Sequence, residues 1–231
     1  MKRFWKSVTI ETEGTAFGVR LDSRPVKLPS GAPLYLPYGA LAQGVADEWS
    51  AIGTNFTPED LPFTRLASTA QERIPQHRDN IIGQLAAYGL NDLLSYRADT
   101  PEPLVARQHE QWDPWLDWAN ATLDVCLLTT TGLMPVNQLP WSGDRFAQKL
   151  ATYSDYTLAA LGVIVPALGS LVLGLAVAEG ALTAADACAA AFLDELWQAE
   201  QWGEDDEALQ RRAHAQNDII LTARFMALCT P

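Results

Sequence analysis

The first forty residues alternate between apolar and polar positions, with turn residues between the alternating stretches. This pattern predicts a short meander of β-strands. Four strands are expected, over residues 4–10, 15–21, 26–28 and 34–36. A meander of this size has too little core of its own, so we expect it to pack against a helix.

After residue 38 the spacing of apolar residues becomes helical. Leu41, Val45, Trp49 and Ile52 recur every three or four positions and predict a helix over residues 38–52. The same spacing predicts further helices over residues 64–74, 76–88, 104–123 (broken or reset at Asp113-Pro114), 143–162, 166–179, 183–202 and 204–228. Residues 93–97 and 125–130 are expected to be extended. The chain is therefore predicted to be α+β, with a small β-rich N-terminal domain at residues 1–60 and a multihelical domain at residues 61–231.

Residues 156–178 contain no charged side chain and are long enough to cross a bilayer. However, Pro166 and three glycines interrupt the run, and its flanks are the acidic Asp155 and Glu179 rather than the Lys and Arg that anchor a cytoplasmic end. We therefore predict two helices buried in a core, separated near Pro166. A peripheral membrane protein is the weaker alternative, and no stable membrane insertion is expected.

Near the C-terminus, the helical period places one glutamate among apolar side chains. At 100° per residue Glu200 projects into an apolar arc, and Glu195 and Trp202 lie together on its flank. The arc is made by Ala189, Phe192, Leu193, Leu196 and Ala199. A carboxylate that faces a core is costly unless it is paired or hydrogen-bonded. Two explanations stay open: a hydrogen bond to a neighbouring helix end, or a contact with a partner.

The formal net charge of −12 argues against a nucleic-acid partner, which would require clustered Lys and Arg. The charge is uneven, because residues 1–27 carry six Lys/Arg against three acids, whereas no Lys or Arg occurs between Lys149 and Arg211. The acidic C-terminal part would attract a basic partner. The plainer interpretation is a solvated helical surface.

Common catalytic and metal-binding motifs are absent from the sequence. It contains no GxSxG elbow and no glycine-rich phosphate loop, and the His109-Glu110 pair lacks the second histidine of a zinc protease. Cys126, Cys188 and Cys229 are far apart, which favours buried thiols in a reducing compartment. We therefore expect no metal and no cofactor. Residues 1–6 lack the apolar core of a signal peptide, so the expected location is the cytoplasm.

Eight tryptophans are an unusual number for 231 residues. Most should lie in the core, where aromatic side chains dominate burial, and about two should lie on a partner surface. Trp112, Trp115 and Trp118 form a slowly drifting stripe on one predicted helix. Trp49 ends the stripe of residues 38–52, so we expect it to have a structural role, buried between that helix and the helical domain.

A series of short segments, none diagnostic alone, is specific in its order and spacing over nearly the whole chain. They are residues 3–6 (RFWK), 21–27 (LDSRPVK), 34–37 (LYLP), 46–49 (ADEW), 88–97 (YGLNDLLSYR), 107–108 (RQ), 112–118 (WDPWLDW), 194–195 (DE), 200–203 (EQWG) and 224–225 (RF). Together they resemble the ATP12-type chaperone family, which assembles the F(1) sector of ATP synthase by holding its alpha subunit. Two positions depart from this family: Ser95 stands where cysteine is common, and Ser23 stands where glycine is common.

The resemblance implies a β-rich N-terminal domain, a helical C-terminal domain and no cofactor. It implies that the partner is the ATP synthase alpha subunit. In this family the glutamate segment before Trp-Gly is tied to function, which points to Glu200, with Glu195 as the near alternative, and to Trp202 and Gly203 beside them. The chain would then be the bacterial, cytoplasmic version, acting as a monomer.

The main interpretation is thus an assembly chaperone that is not an enzyme. The alternative from another class is a cofactor-free hydrolase or lyase. It would use Glu200 with Glu195 or Asp194 as acid and base, which requires two carboxyl groups in opposed environments.

Overall fold

The computed structural model describes residues 1–132 and 134–229, and its N-terminal part is a four-stranded antiparallel sheet arranged around one central strand. The strands are β1 (Val8–Glu13), β2 (Ala16–Leu21), β3 (Arg24–Pro25) and β4 (Tyr35–Leu36). β2 pairs with β1 along its whole length, with Val8 opposite Leu21 and Glu13 opposite Ala16. The other edge of β2 pairs with β3 and β4.

The first strand begins at Val8, four residues later than predicted. The reason is the carboxylate of Asp22, which accepts the backbone N–H groups of Lys6 at 3.1 Å and Ser7 at 2.9 Å. The strand predicted at residues 26–28 is also displaced, because β3 lies just before it and Lys27 makes only a single bridge to Pro33.

Ten α-helices follow the sheet in the described part of the chain. They are α1 (Gly39–Ala51), α2 (Pro62–Ser68), α3 (Ile74–Gly89), α4 (Glu102–Leu123), α5 (Ser142–Ala151), α6 (Asp155–Leu168), α7 (Leu171–Ala178), α8 (Ala184–Ala191), α9 (Leu193–Trp202) and α10 (Asp206–Leu228). A π-helical turn at Thr69–Arg73 separates α2 from α3, and two residue pairs, β5 (Tyr96–Arg97) and β6 (Thr130–Thr131), form a small parallel sheet. About 62% of the chain is helical and 11% is in strands, which confirms the predicted α+β class.

Four predicted helix boundaries were wrong. α4 runs unbroken through Pro114. The helix predicted at 143–162 is interrupted after Ala151, and the apolar run breaks not at Pro166 but at Gly169, whose φ of +68° ends α6. The helix predicted at 183–202 is divided at Phe192. The apolar period alone therefore does not show where these helices end.

The chain divides into two compact units, each built from separated segments. Unit 1 comprises Met1–His77, Asp155–Ala160 and the described residues from Arg224 onward; unit 2 comprises Arg78–Ser154 and Leu161–Ala223. The domain boundary predicted at residue 60 remains a prediction.

The core of unit 1 is closed by residues from the end of α10. Phe225 is fully buried, stacks on Tyr156 with 6.3 Å between ring centroids, and lies 6.0 Å from the ring of Phe63. A Cβ atom on Gly44 of α1 would lie 2.8 Å from the side chain of Leu228, so this close approach requires a glycine.

α4 is at the centre of unit 2, where it packs against α5, α7 and α9. Trp112 of α4 is fully buried and donates its indole N–H to the carbonyl of Ala190 at 2.8 Å. The apolar run is also part of the core here, since Leu161, Ile164 and Leu171 have no exposed surface. No helix in the described part of the chain is long and apolar enough to span a membrane.

A buried aspartate caps α7. Asp92 is completely inaccessible, and its carboxylate accepts the backbone N–H groups of Leu94 at 3.1 Å and Val172 at 3.0 Å. Burial raises the pKa of Asp92 to about 6. The three cysteines are free; Cys188 and Cys229 are buried as predicted, but Cys126 is exposed.

Candidate functional site

α9 carries the glutamates that the sequence singled out, and it lies at the surface of unit 2. Leu193 is the only buried residue of this helix, and Leu196 is 37% exposed. The side chain of Glu200 is 50% exposed. Glu200 therefore lies at the surface, and its carboxylate is not buried among the apolar side chains of the arc.

Glu200 is held by an arginine from α4. The Nη1 atom of Arg107 lies 2.8 Å from one carboxylate oxygen of Glu200 and 3.0 Å from the other, so a single nitrogen bridges both. The Arg107 guanidinium also lies over the indole ring of Trp197, 4.8 Å from its centroid. The hydrogen bond from Arg107 lowers the pKa of Glu200, so the carboxylate is ionised at neutral pH.

Glu195 has different partners, on α10. One of its oxygens lies 3.3 Å from Nη2 of Arg211 and 3.8 Å from Nη1 of Arg212. Arg212 is buried and makes a second, shorter contact of 2.6 Å with Glu204. These ion pairs join α9, the following turn and α10.

Gly203 ends α9 in a conformation that other residues rarely adopt, with φ of 91° and ψ of 162°. Its neighbour Trp202 is the last residue of the helix and is 79% exposed. An indole left so open to water is typical of a partner surface.

The structure thus places Glu195, Glu200, Trp202 and Gly203 on one helix and its C-terminal turn, but it does not pair the carboxylates. Glu200 binds Arg107 of α4, Glu195 binds arginines of α10, and Asp194 accepts a hydrogen bond from Gln108 at 2.8 Å. A general acid needs a raised carboxyl pKa, whereas that of Glu200 is lowered. The geometry therefore does not favour acid–base chemistry by a carboxylate pair.

Trp49 lies elsewhere, in an aromatic cluster of unit 1. Its ring is 5.1 Å from that of Trp5 and 5.8 Å from that of Phe56, and its indole N–H donates to Thr64 at 2.9 Å. The side chain is half-buried rather than fully buried as predicted. Its structural role remains a prediction that this packing supports.

Within residues 1–132 and 134–229, no group of three or more His, Cys, Asp and Glu side chains is arranged to hold a metal ion. The sequence reasoning missed two arginines, Arg107 as the partner of Glu200 and Arg212 as the partner of Glu204. The scarcity of cations could have pointed to them: unit 2 holds only seven Lys and Arg, so each is a candidate partner for one of its many acids.

Comparison with known proteins gives a consistent result. The family model described as ATP12 chaperone protein matches residues 2–120. The chain belongs to the ATP12 chaperone family. The family is one of chaperones in ATP synthase assembly.

The relatives cover the rest of the chain, including α9. The crystal structure of Atp12 from Paracoccus denitrificans is 41% identical over 99% of this chain and 98% of that one, with a TM-score of 0.93. The Atu1473 protein of Agrobacterium tumefaciens is 40% identical over 97% and 84%, with a TM-score of 0.90. The mitochondrial protein atp12 of Schizosaccharomyces pombe is 26% identical over 99% of this chain and 82% of its own length.

Proposed function

We propose that this chaperone binds the free alpha subunit of ATP synthase and protects it from aggregation until it joins the beta subunit. It would act as a monomer in the bacterial cytoplasm, without catalysis. The client would be bound by the C-terminal half of α9 and its turn, with Glu200 and Trp202 in direct contact and Gly203 setting the turn. The observation that carries the proposal is an ionised, half-exposed Glu200 in the same last turn of α9 as Trp202, whose indole is 79% exposed.

The pairing of Glu200 with Arg107 is compatible with a further contact. A carboxylate offers about four lone-pair directions, and the single bridging nitrogen of Arg107 uses those that face α4. The outer directions remain for an arginine or backbone amides of the client. Arg107 therefore positions the carboxylate and does not block it.

Charge and polarity also suit a temporary contact. Unit 2 carries seven Lys and Arg against nineteen Asp and Glu, so it attracts a basic surface over several ångströms. A chaperone must release its client, and polar, charged interfaces belong to the transient class rather than the obligate one.

The test is a capture assay with tagged alpha and beta subunits expressed separately. We expect capture of alpha and little capture of beta. Equal retention of the two subunits would refute the assignment of the client.

The site is tested with Glu200→Lys, Glu200→Gln and Trp202→Ala. Because these side chains are exposed, the melting temperatures should stay near that of wild type while alpha capture falls. Asp117→Lys, an exposed charge reversal on α4, is the matched control and should capture normally. If melting and capture fall together in the Glu200 variants, the residue is structural and not a client contact.

A further inference from the structure

Unit 1 contains a mostly apolar groove of about 620 Å³ that no part of the proposed client site uses. Trp49 and Leu61 contribute its apolar lining, together with Thr64. Thr64 accepts the indole N–H of Trp49 and donates to Glu48 at 2.6 Å. The polar atoms on this side are thus already bonded to one another, which leaves apolar surface facing the groove.

Three cations line the same groove, Lys27, Arg65 and Arg73. All three are exposed, and none makes an ion pair within the described residues. The one acid among the lining residues, Glu72, accepts the backbone N–H of Ser30 at 3.2 Å.

The helical positions three and four residues away from Arg65 and Arg73 hold no acid that could pair with them. Arg65 exerts only a long-range attraction on Glu59. The groove is therefore lined by an excess of positive charge, three cations against the single acid Glu72, in a chain whose formal charge is −12.

The backbone beside the groove is irregular. Thr69, Glu72 and Arg73 line it from the π-helical turn at Thr69–Arg73. Such turns are rare, and they occur frequently at functional sites. Glu72 and Arg73 of this turn line the same groove as Arg65.

We propose that this groove is a second docking surface, which binds an acidic segment of a partner polypeptide through the apolar side chains of that segment. The volume is that of a pocket for a few side chains, and the three unpaired cations complement carboxylates on either side of them. A nucleic acid fits less well, because unit 1 as a whole has nine Lys and Arg balanced by nine Asp and Glu. The proposal does not depend on the alpha-subunit assignment, because the groove and the Glu200 surface belong to different units.

The test uses two synthetic amphipathic peptides of about 14 residues with the same leucine face, one with glutamate and one with lysine at the remaining positions. Binding to the whole protein is measured by calorimetry and by the fluorescence change of Trp49, with Trp49→Phe to assign the signal. We expect the glutamate peptide to bind at least tenfold more tightly than the lysine peptide, and its affinity to fall with added salt.

Charge reversals then locate the site. Arg65→Glu and Arg73→Glu should each weaken binding of the glutamate peptide about tenfold, at an unchanged melting temperature. Lys6→Glu, which reverses an exposed cation of unit 1 outside the groove, should have no effect.

Equal binding of the two peptides, or equal losses in Arg65→Glu and Lys6→Glu, would overturn the proposal. Binding of a single-stranded oligonucleotide in preference to the glutamate peptide would also overturn it. Glu200→Gln should bind the peptide normally. A loss of alpha capture with peptide binding intact therefore counts against the proposed client site alone, and a loss of peptide binding with capture intact counts against the groove alone.

Discussion

The two units of this protein differ in how many of their cations form ion pairs. Unit 1 holds nine Lys and Arg and nine Asp and Glu, whereas unit 2 holds seven against nineteen and so carries the entire formal charge of −12. In unit 2, at least six of the seven cations form ion pairs: Arg97, Arg107, Arg145, Lys149, Arg211 and Arg212. In unit 1, the three cations of the groove form none within the described residues.

The difference shows which cations hold two elements together and which are left at the surface for another molecule to contact. Among many acids, each cation is drawn into a contact between two elements, as Arg107 joins α4 to α9. In a balanced unit, a cation with no acid within one helical turn stays at the surface. Exposed pairs contribute only about 0–1 kcal/mol each, so burial rather than pairing should decide which arginine matters for stability.

The largest effect is expected when one arginine in each unit is replaced by methionine and the losses in the free energy of unfolding are compared. Arg97 is buried, donates to the carbonyls of Leu94 and Gln108, and lies 2.8 Å from Asp113. Arg97→Met should lower the free energy of unfolding by about 3–4 kcal/mol, because it leaves these acceptors unpaired. Arg73→Met, in unit 1, should change it by less than about 0.5 kcal/mol. Urea denaturation measures both, and similar losses would remove the distinction between the units.

The second largest effect is expected in the aromatic cluster of unit 1. Trp49→Arg removes the edge contacts with Trp5 and Phe56 and the hydrogen bond to Thr64. Because the site is half-buried and lets an arginine reach water, we expect a loss of about 2–3 kcal/mol rather than the full cost of a buried charge. Phe4→Arg, at a residue that is 60% exposed, is the control and should be nearly neutral. A fully stable Trp49→Arg protein would show that the cluster does not support unit 1.

Two aspartates should give the units opposite pH dependences. Burial raises the pKa of Asp92 to about 6, so the stability it contributes is present below its unfolded pKa and is lost as pH rises through about 6. Hydrogen bonds from Ser7 and Lys6 lower the pKa of Asp22, so its contribution is present at neutral pH and is lost as pH falls.

The measurement compares wild type with Asp92→Asn and with Asp22→Asn from pH 4 to pH 8. The advantage of wild type over Asp92→Asn should shrink by about 2 kcal/mol as pH rises. The advantage over Asp22→Asn should grow. If the stability difference between wild type and variant changed in the same direction with pH for both residues, the two carboxyl groups would not lie in opposite environments.

The smallest effect concerns the turn after α9. Gly203→Ala places a Cβ in open space but forces a conformation that alanine disfavours, which should cost about 1–2 kcal/mol. Gly53→Ala in unit 1 also meets open space, and its φ is not positive, so it should be tolerated. Thermal melting distinguishes them, and equal melting temperatures would show that the turn is not strained.

Much of the fold was accessible from the sequence. The helix at 38–52 and the β meander follow from local periodicity, which reports on residues close in the chain. The interruptions at Gly169 and Phe192 were not predicted, because a helix boundary depends on one or two residues within an otherwise continuous apolar period.

The candidate site was predictable in position but not in environment. The sequence placed Glu195, Glu200, Trp202 and Gly203 on one helix and its end, which the structure bears out. The exposure of Glu200 stayed open, because a helical projection shows which residues share a face but not whether that face meets another element. The partner of Glu200 is 93 residues away in the chain, and no local pattern reports such a distance.

Phe225 has a consequence for how the protein is made. It closes the core of unit 1, yet it follows Phe63 by about 160 residues, which the ribosome needs roughly 10–30 s to add. During that interval the N-terminal strands have been translated, but the aromatic side chain that stacks on Tyr156 has not. A chaperone built in this way passes through its own unprotected stage on the ribosome, and slowing synthesis of α10 should increase aggregation of the nascent chain.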